Sequence, residues 1–234
     1  MTYSSTSSFI KLHWGRKMDL IIGGGKYGCQ AIEYLRRMKR SFLVVDINPN
    51  CLALKRFSVK SFSSFNAGEE AFIIGGLPEV LELIDDLKPE YVFPTAPLHI
   101  AAELVKIKFE LIPWPEAINT ILPKLPEIVV INAGRGNLVV SFNRDRDCIE
   151  NCAMPKVCPS SQIKKPCTMT ELMRFACPEA FLLVSHSMAP GLGALKSSEL
   201  SELFKWAKTK QRLIVATSCD CHGVFSALKK QNKT

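Results

Sequence analysis

A glycine-rich segment near the start of the chain has the spacing of a loop that binds phosphates. Gly23, Gly25 and Gly28 fit the pattern G-x-G-x-x-G, after the apolar residues 20–22 and before a stretch of helical periodicity. In such loops the first glycine permits a tight turn, the second lets a pyrophosphate approach the backbone, and the third lets helix and strand pack closely. Free amides at the helix start would hold the phosphate charge. Lys26 in the loop could reach a phosphate or simply face solvent.

A carboxylate stands where such a site would recognise a ribose. Asp46 follows the apolar run 42–45 and lies about 20 residues after Gly25, the usual offset of a ribose-binding acid. A carboxylate accepts hydrogen bonds from ribose hydroxyls and repels a 2′-phosphate, so NAD(H) is favoured over NADP(H). Lys55 and Arg56 follow a little later, which leaves NADP(H) open. A glycine loop that binds nothing, or another nucleotide, is the alternative.

Four cysteines in a segment with few large apolar residues could bind a metal. Cys148, Cys152, Cys158 and Cys167 have the spacing C-x3-C-x5-C-x8-C. The chain has nine cysteines and no apolar run typical of a secretory signal, which indicates a reducing compartment, where thiols are more often ligands, redox groups or core residues than disulfides. Thiolates suit an iron–sulfur cluster or zinc. The spacing is not the tight ferredoxin run, and we favour a cluster over zinc, with a metal-free segment as the third interpretation.

A second group of reactive side chains follows the last predicted strand, 213–216. Cys219, Cys221 and His222 could complete a metal site or act as a redox dithiol beside an imidazole. His186 follows the preceding predicted strand and could lie on the same edge of the sheet. We take these four side chains as candidate catalytic groups. The alternative is a small buried turn in which Cys219 packs and His222 caps a final helix.

Strands that alternate with helices must position these groups. This order predicts an α/β, Rossmann-like fold: a mainly parallel sheet with helices on both faces, plus an irregular cysteine-rich insert. The expected segments are an extension over 1–17 with Met18 as the natural start, a Rossmann dinucleotide-binding unit over 18–142, the insert over 143–177, and a C-terminal extension of the sheet over 178–234. Residues 133–137 predict a hairpin turn, and a short helix is expected to close the chain.

The glycine loop and the strand that follows it resemble a known family. The sequences LIIGGGKYG (20–28) and VVDIN (44–48) are similar to the NAD-binding domain of TrkA-type potassium-uptake regulators. The resemblance covers about residues 18–110, and the cysteine-rich second half lies outside it. By this resemblance the nucleotide contacts would be Gly23, Gly25, Gly28 and Asp46.

Charge and hydropathy limit the expected partners. The net charge of +8 collects partly at the chain ends and at the end of the first predicted helix, without interleaved aromatic residues, so no nucleic-acid partner is expected. No apolar run is long enough for a membrane span. We therefore expect a cytoplasmic, NAD(P)-binding oxidoreductase-like protein with a cysteine-ligated metal centre, an unknown substrate, a redox partner protein and a homodimeric state. The alternative is a non-catalytic module of TrkA type that binds NAD(H) and senses redox state.

Overall fold

The computed structural model describes residues 18–61, 70–150 and 152–231. These residues form a mixed α/β protein, so the expected α/β class is confirmed. The chain divides into two compact units, the first reaching to Leu98 with Lys196–Ser198, and the second comprising His99–Leu195 and the chain from Glu199. The division after Leu98 falls inside the segment that the sequence assigned to one unit. The predicted extension over 1–17 lies outside the described residues.

The first unit is built on parallel strands. They are β1 (Met18–Ile22), β2 (Ser41–Asp46), β3 (Lys60–Ser61), β4 (Glu70–Ile74) and β5 (Tyr91–Pro94). Within this unit their order in space is β5-β1-β2-β4-β3, and each neighbouring pair is parallel. β1 is buried along its whole length. A strand covered on both faces needs apolar residues on both faces, which explains the continuous apolar runs of the sequence.

Helices connect these strands. They are α1 (Lys26–Arg37), α2 (Leu52–Arg56) and α3 (Leu77–Leu87). α1 buries Ala31, Ile32 and Leu35, which share one face at helical spacing. α3 carries Pro78 in its first turn, where a missing amide proton costs nothing, and it ends at Lys88, whose φ of 46° is left-handed.

An ion pair anchors the end of the first unit's sheet opposite the glycine loop. Asp19 on β1 is fully buried. Its carboxylate accepts hydrogen bonds from Arg40 Nε at 2.5 Å and Nη2 at 2.8 Å, and from the amide of Tyr91 at 3.0 Å. Hydrogen bonding to Asp19 raises the pKa of Arg40 above its already high usual value. The pair therefore satisfies a charge that would otherwise be buried alone.

The second unit contains a mixed sheet. Its strands are β6 (Leu111–Pro113), β7 (Val130–Gly134), β8 (Asn137–Ser141), β9 (Phe181–Val184), β12 (Arg212–Ser218) and β13 (His222–Lys230), and β10 (His186–Ala189) and β11 (Leu192–Lys196) form a hairpin. The order in space is β7-β8-β13-β12-β9, with β6 on β13. The helices are α4 (Ile100–Lys108), α5 (Pro115–Ile121), α6 (Met169–Ala176) and α7 (Ser197–Lys208), with 3-10 turns at Leu122–Lys124 and Glu127–Val129. None of the helices in the described part of the chain is long and apolar enough to cross a membrane.

The expectation of a mainly parallel sheet is wrong for the second unit. β12 pairs in parallel with β9 but antiparallel with β13, and β13 is antiparallel to β8 and β6. The reason is the short link between β12 and β13, which is Cys219–Cys221, whereas a parallel crossover needs a dozen or more residues. The predicted closing helix is likewise wrong, because His222–Lys230 forms β13.

The predicted hairpin over 133–137 is confirmed. β7 and β8 pair antiparallel across a turn at Arg135 and Gly136, whose φ values are 50° and 81°. Two left-handed residues in succession make a type I′ turn, whose twist matches that of the two strands. The insert predicted over 143–177 is irregular only in part. Its described residues before α6 contain no helix or strand, only an isolated bridge between Val157 and Lys164, whereas Met169–Ala176 forms α6.

Candidate functional sites

The first and third glycines of the loop are required by close packing. Gly23 has a φ of +105°, and a Cβ there would lie 2.8 Å from the backbone nitrogen of Ala96. A Cβ on Gly28 would lie 2.1 Å from the carbonyl oxygen of Gly23. That same carbonyl oxygen accepts a hydrogen bond from Thr95 Oγ1 at 2.7 Å. α1 therefore packs directly on the turn that follows β1, as the motif predicts for its first and third positions.

The second glycine faces open space. Gly25 precedes α1 in extended backbone conformation, with φ −80° and ψ −158°, and no side chain caps the helix. A Cβ placed on Gly25 would meet no atom within 4 Å. Packing therefore does not require a glycine at this position. The motif supplies another reason: without a side chain there, a ligand can approach the backbone closely. Lys26 is exposed at the start of α1.

The Asp46 carboxylate is held beside the glycine loop. Its Oδ2 accepts a hydrogen bond from the amide of Gly24 at 2.6 Å, and its Oδ1 accepts one from the amide of Asn48 at 2.8 Å. These bonds fix the side chain at the end of β2. Each carboxylate oxygen has a further lone-pair position, so both can still accept a hydrogen bond from a ligand hydroxyl.

Two exposed isoleucines flank this carboxylate. Ile47 is 76% exposed and Ile74 is 62% exposed, each at the end of a strand next to Asp46. The amide of Gly75 donates to the carbonyl oxygen of Asp46 at 3.1 Å, which keeps the two strand ends together. Hydropathy does not single out this apolar surface, because apolar residues at the ends of parallel strands are ordinarily expected to be buried.

The start of α2 covers the other side of the loop. The amide of Ala53 donates to the carbonyl oxygen of Gly24 at 2.8 Å, and a Cβ on Gly24 would lie 2.4 Å from Cys51 Sγ. Arg56, which left binding of a 2′-phosphate open, forms an ion pair with Glu33 at 2.8 Å. A 2′-phosphate would have to compete with this carboxylate for the guanidinium.

The second candidate site lies at the hairpin turn between β12 and β13. The amide of Cys219 donates to the carbonyl oxygen of His222 at 2.9 Å and closes the turn. Two hydrogen bonds from other chain segments hold the turn in place. The amide of Phe142 donates to the carbonyl oxygen of Cys221, and the amide of Met169 donates to the carbonyl oxygen of Asp220, both at 3.0 Å. The side chains of the turn are therefore carried by a well-anchored backbone.

The imidazole of His222 joins thiols from two chain segments. Its Nε2 lies 3.2 Å from Cys148 Sγ, and its Nδ1 lies 3.6 Å from Cys219 Sγ. Desolvation of the ring by the surrounding groups, and secondarily the charge of Lys165, lowers the pKa of His222. A neutral ring with one N–H and one bare nitrogen can donate to one sulfur and accept from the other.

A buried lysine faces the thiols. Lys165 is 7% exposed, and its Nζ lies 3.1 Å from Cys221 Sγ and 3.0 Å from the carbonyl oxygen of Met154. Burial raises the pKa of Cys221. The hydrogen bond and charge of Lys165 lower this pKa, and the charges of Cys219 and Cys152 raise it further. Cys152 is thus near enough to act on Cys221. We call these residues the thiol cluster: Cys148, Cys152, Lys165, Cys219, Cys221 and His222.

The four cysteines predicted to bind one metal differ in their surroundings. Cys148 and Cys152 belong to the thiol cluster, Cys158 accepts a hydrogen bond from the amide of Ser161 at 3.5 Å, and Cys167 is partly buried just before α6. Burial by itself would raise the pKa of Cys158. Hydrogen bonds from Ser161 and its neighbour, together with the charge of Lys165, outweigh burial and lower this pKa. In the described part of the chain no group of three or more His, Cys, Asp or Glu side chains is arranged to hold a metal ion. A centre bound by Cys148, Cys152, Cys158 and Cys167 stays a prediction.

The other histidines have different partners. His186 Nε2 lies 2.8 Å from Glu199 Oε1. His99 precedes α4 with Nδ1 at 2.7 Å from Ser226 Oγ and Nε2 at 2.9 Å from Thr217 Oγ1, and burial lowers its pKa to about 3. His99 is therefore a neutral, structural residue.

The remaining described cysteines are packed in the two units. Cys29, Cys51 and Cys177 are buried. Burial, reinforced by Glu179, raises the pKa of Cys177 to about 12. A thiol with so high a pKa is almost entirely protonated at neutral pH and is a poor nucleophile.

Two family models match the chain, one after the other. The model described as "Uncharacterized protein, N-terminal domain" matches residues 18–100, and the model described as "Uncharacterized protein, C-terminal domain" matches residues 100–231. The chain belongs to this family. A relative of the same description from Archaeoglobus fulgidus is 47% identical over 215 residues, which cover 91% of this chain and 100% of that protein. The family extends over both units, so the glycine loop and the thiol cluster lie within the matched segments.

The match corrects the resemblance drawn from the glycine loop. Residues 18–100 match the N-terminal domain of this family, and no TrkA-type family is found. The expected membership in the TrkA-type regulators is therefore wrong. The cause is the generality of the motif: glycine spacing and an acid after the next strand report a phosphate-binding geometry that many unrelated families use.

Proposed function

We propose that the first unit is a Rossmann-like unit that binds a nicotinamide dinucleotide, and that the protein is an oxidoreductase. The proposal rests on two neighbouring features. Gly25 faces open space at the start of α1, and the Asp46 carboxylate is held beside the same loop. Pyrophosphate needs close approach to free amides, and ribose needs a fixed acceptor. Both requirements are met by neighbouring groups of one unit.

Each group has a defined task in this proposal. The first amides of α1 hold the pyrophosphate, and Asp46 accepts hydrogen bonds from the adenosine ribose. The carboxylate disfavours a 2′-phosphate, so NAD(H) is the preferred dinucleotide and NADP(H) the weaker one. Ile47 and Ile74 offer exposed apolar area beside Asp46. An adenine ring that covers them would remove apolar surface from water, which favours binding.

The assignment to oxidoreductases has additional support from the second unit. When bound, a nicotinamide exchanges a hydride with a second reactant. The thiol cluster offers thiols, an imidazole and an ammonium group, which are redox-active or proton-donating side chains. The substrate and a redox partner protein remain to be identified by assay.

Titration calorimetry with NADH and with NADPH tests the proposal. We expect the wild-type chain to bind NADH more tightly than NADPH. Asp46→Asn keeps an oxygen for the Gly24 amide but loses the charge, so NADH affinity should fall about tenfold or more, because hydrogen bonds to charged groups contribute about 1.5–3 kcal/mol. The preference for NADH over NADPH should shrink in the same variant. Absence of binding of both dinucleotides to the wild-type chain would contradict the proposal.

A turnover assay then separates an enzyme from a module that only senses NAD(H). Steady oxidation of NADH with an electron acceptor such as a quinone or flavin analogue is the expected result for an oxidoreductase. Tight binding without turnover of any acceptor would leave the nucleotide site in place and contradict the enzymatic part of the proposal.

A further inference from the structure

We propose that the thiol cluster is a transition-metal site whose ligands come from Cys148 and Cys152 on the insert and from Cys219, Cys221 and His222 at the hairpin turn. The ligand chemistry is thiolate with imidazole, which suits zinc or an iron–sulfur centre. This set differs from the sequence-predicted one, because Cys158 and Cys167 are not ligands. The site lies in the second unit and does not depend on the proposed nucleotide binding.

The hydrogen bonds around the cluster are of the kind that would stabilise metal-bound thiolates. Lys165 donates to Cys221 Sγ at 3.1 Å, and Asn143 Nδ2 donates to Cys148 Sγ at 3.4 Å. Both donors are buried, with 7% and 5% of their surface exposed. A neutral thiol is a weak acceptor, whereas a metal-bound thiolate is commonly stabilised by N–H groups of this kind.

The charge of Lys165 also supports a site with metal-bound thiolates. A buried ammonium group is costly unless an anion lies nearby, and in the described part of the chain its partners are a backbone carbonyl and a cysteine sulfur, not a carboxylate. Several thiolates around one divalent ion leave an excess of negative charge. Lys165 would compensate that excess.

Asn143 supplies a second, independent observation. Its Oδ1 atom is buried and accepts no hydrogen bond from any described residue, while its Nδ2 is directed at Cys148. Buried polar groups of native proteins are nearly always satisfied, so an unsatisfied one next to a cluster indicates a water or ligand that completes it. A metal-bound water or a protonated ligand group would do so.

Shared ligation requires the side chains to rearrange, because Cys148 and Cys219 contact opposite nitrogens of the His222 ring and no three ligands of the described residues surround a common point. The two sulfur–nitrogen distances at His222 are 3.2 and 3.6 Å. Neighbouring sulfur and nitrogen ligands around tetrahedral zinc are about 3.5 Å apart, since the zinc–ligand distances are about 2.3 and 2.0 Å. Both ring nitrogens now face sulfur. Binding replaces the thiol–imidazole contacts by metal bonds and releases thiol protons, and the second ring nitrogen keeps a hydrogen bond.

Metal and sulfide analysis of the full-length protein after anaerobic purification tests this site. We expect about one centre per chain: zinc without sulfide and iron with sulfide both support the site and tell the two metals apart. Cys148→Ser and Cys219→Ser should lose the metal, whereas Cys158→Ser, at a cysteine whose sulfur accepts a hydrogen bond from Ser161, should keep it. Lys165→Gln should retain the site with about 10–100-fold weaker binding, the usual effect of removing an outer hydrogen bond.

Two results would overturn the proposal. One is a folded, metal-free protein that binds neither Zn²⁺ nor iron and sulfide on reconstitution. The other is metal retained by Cys148→Ser and Cys219→Ser but lost by Cys158→Ser and Cys167→Ser, which would restore the sequence-predicted set. If a serine variant does not fold, titration of the metal-free wild-type chain with Co²⁺ decides: sulfur-to-cobalt charge-transfer absorption saturating at one equivalent supports the site, and its absence contradicts it.

Discussion

The surroundings of His99 show how burial decides whether a histidine can titrate. Both ring nitrogens are engaged by hydroxyl groups on β12 and β13, and Ser226 Oγ in turn donates to Asn137 Oδ1 at 2.5 Å. No carboxylate is part of this network, so nothing in it repays the cost of a charge. A histidine that follows a strand can therefore have a purely structural role.

The low pKa of His99 predicts a loss of stability in acid. Above about pH 6.5 the side chain is neutral in the folded and unfolded chain, and it contributes no pH dependence. As the pH falls from 6.5 towards about 3, His99 binds a proton in the unfolded chain but not in the folded chain. The free energy of unfolding therefore falls by about 1.4 kcal/mol per pH unit. His99→Gln should remove about 2 kcal/mol of the wild-type loss between pH 6.5 and 5, measured by urea unfolding. An unchanged pH dependence in this variant would contradict the assignment.

Thiol reactivity gives a second prediction for single residues. Cys177 is buried and has a pKa of about 12, so in the metal-free native protein iodoacetamide should label it far more slowly than Cys148, which is exposed. Mass spectrometry of peptides from the briefly alkylated native protein measures both rates, and alkylation of the unfolded chain is the control. Equal labelling of the two cysteines in the native state would contradict the described burial.

At the scale of elements, two arginines of the α1 region differ in their surroundings. Arg40 pairs with the fully buried Asp19, whereas Arg36 pairs with Glu70 in a contact whose side chains are 41% and 32% exposed. Hydrogen bonding to Glu70 raises the pKa of Arg36 too. What separates the two pairs is therefore the desolvation of the carboxylate, which decides how costly it is to lose the partner.

Replacement of each arginine by methionine tests this difference. Arg40→Met leaves a buried carboxylate with the amide of Tyr91 as a remaining donor, so we expect a loss of about 3 kcal/mol or more in the free energy of unfolding. Arg36→Met is the matched control and should cost less than about 1 kcal/mol. Denaturant unfolding of both variants gives the comparison, and equal costs would show that the Asp19 pair does not anchor the sheet.

The elements of the first unit were largely predictable, and those of the second were not. Local patterns suffice for β1, the glycine turn and α1, since Gly23 and Gly28 have steric reasons there. Strand direction in the second unit depends on the length of links and on pairing partners, which hydropathy does not encode. β13 illustrates this: its buried run over 225–228 is also compatible with a helix in the sequence.

For the whole molecule, the contacts that matter most join distant parts of the chain. Cys148 and His222 meet although they are 74 positions apart, and Lys165 and Cys221 although they are 56 apart. Spacing within one segment cannot reveal such long-range contacts, and it offered no reason to single out Lys165 or Asn143. Only the long-range packing of the insert against the hairpin turn shows that the reactive groups form one cluster.

The most direct test of nucleotide binding replaces the one loop glycine that packing does not require. Gly25→Ala and Gly134→Ala both add a methyl group where no atom lies within 4 Å, so neither should lower stability by more than about 1 kcal/mol. Titration calorimetry with NADH should show wild-type affinity for Gly134→Ala and a loss of at least about tenfold, or about 1.4 kcal/mol, for Gly25→Ala. NADH affinity equal to wild type in a folded Gly25→Ala protein would contradict the account.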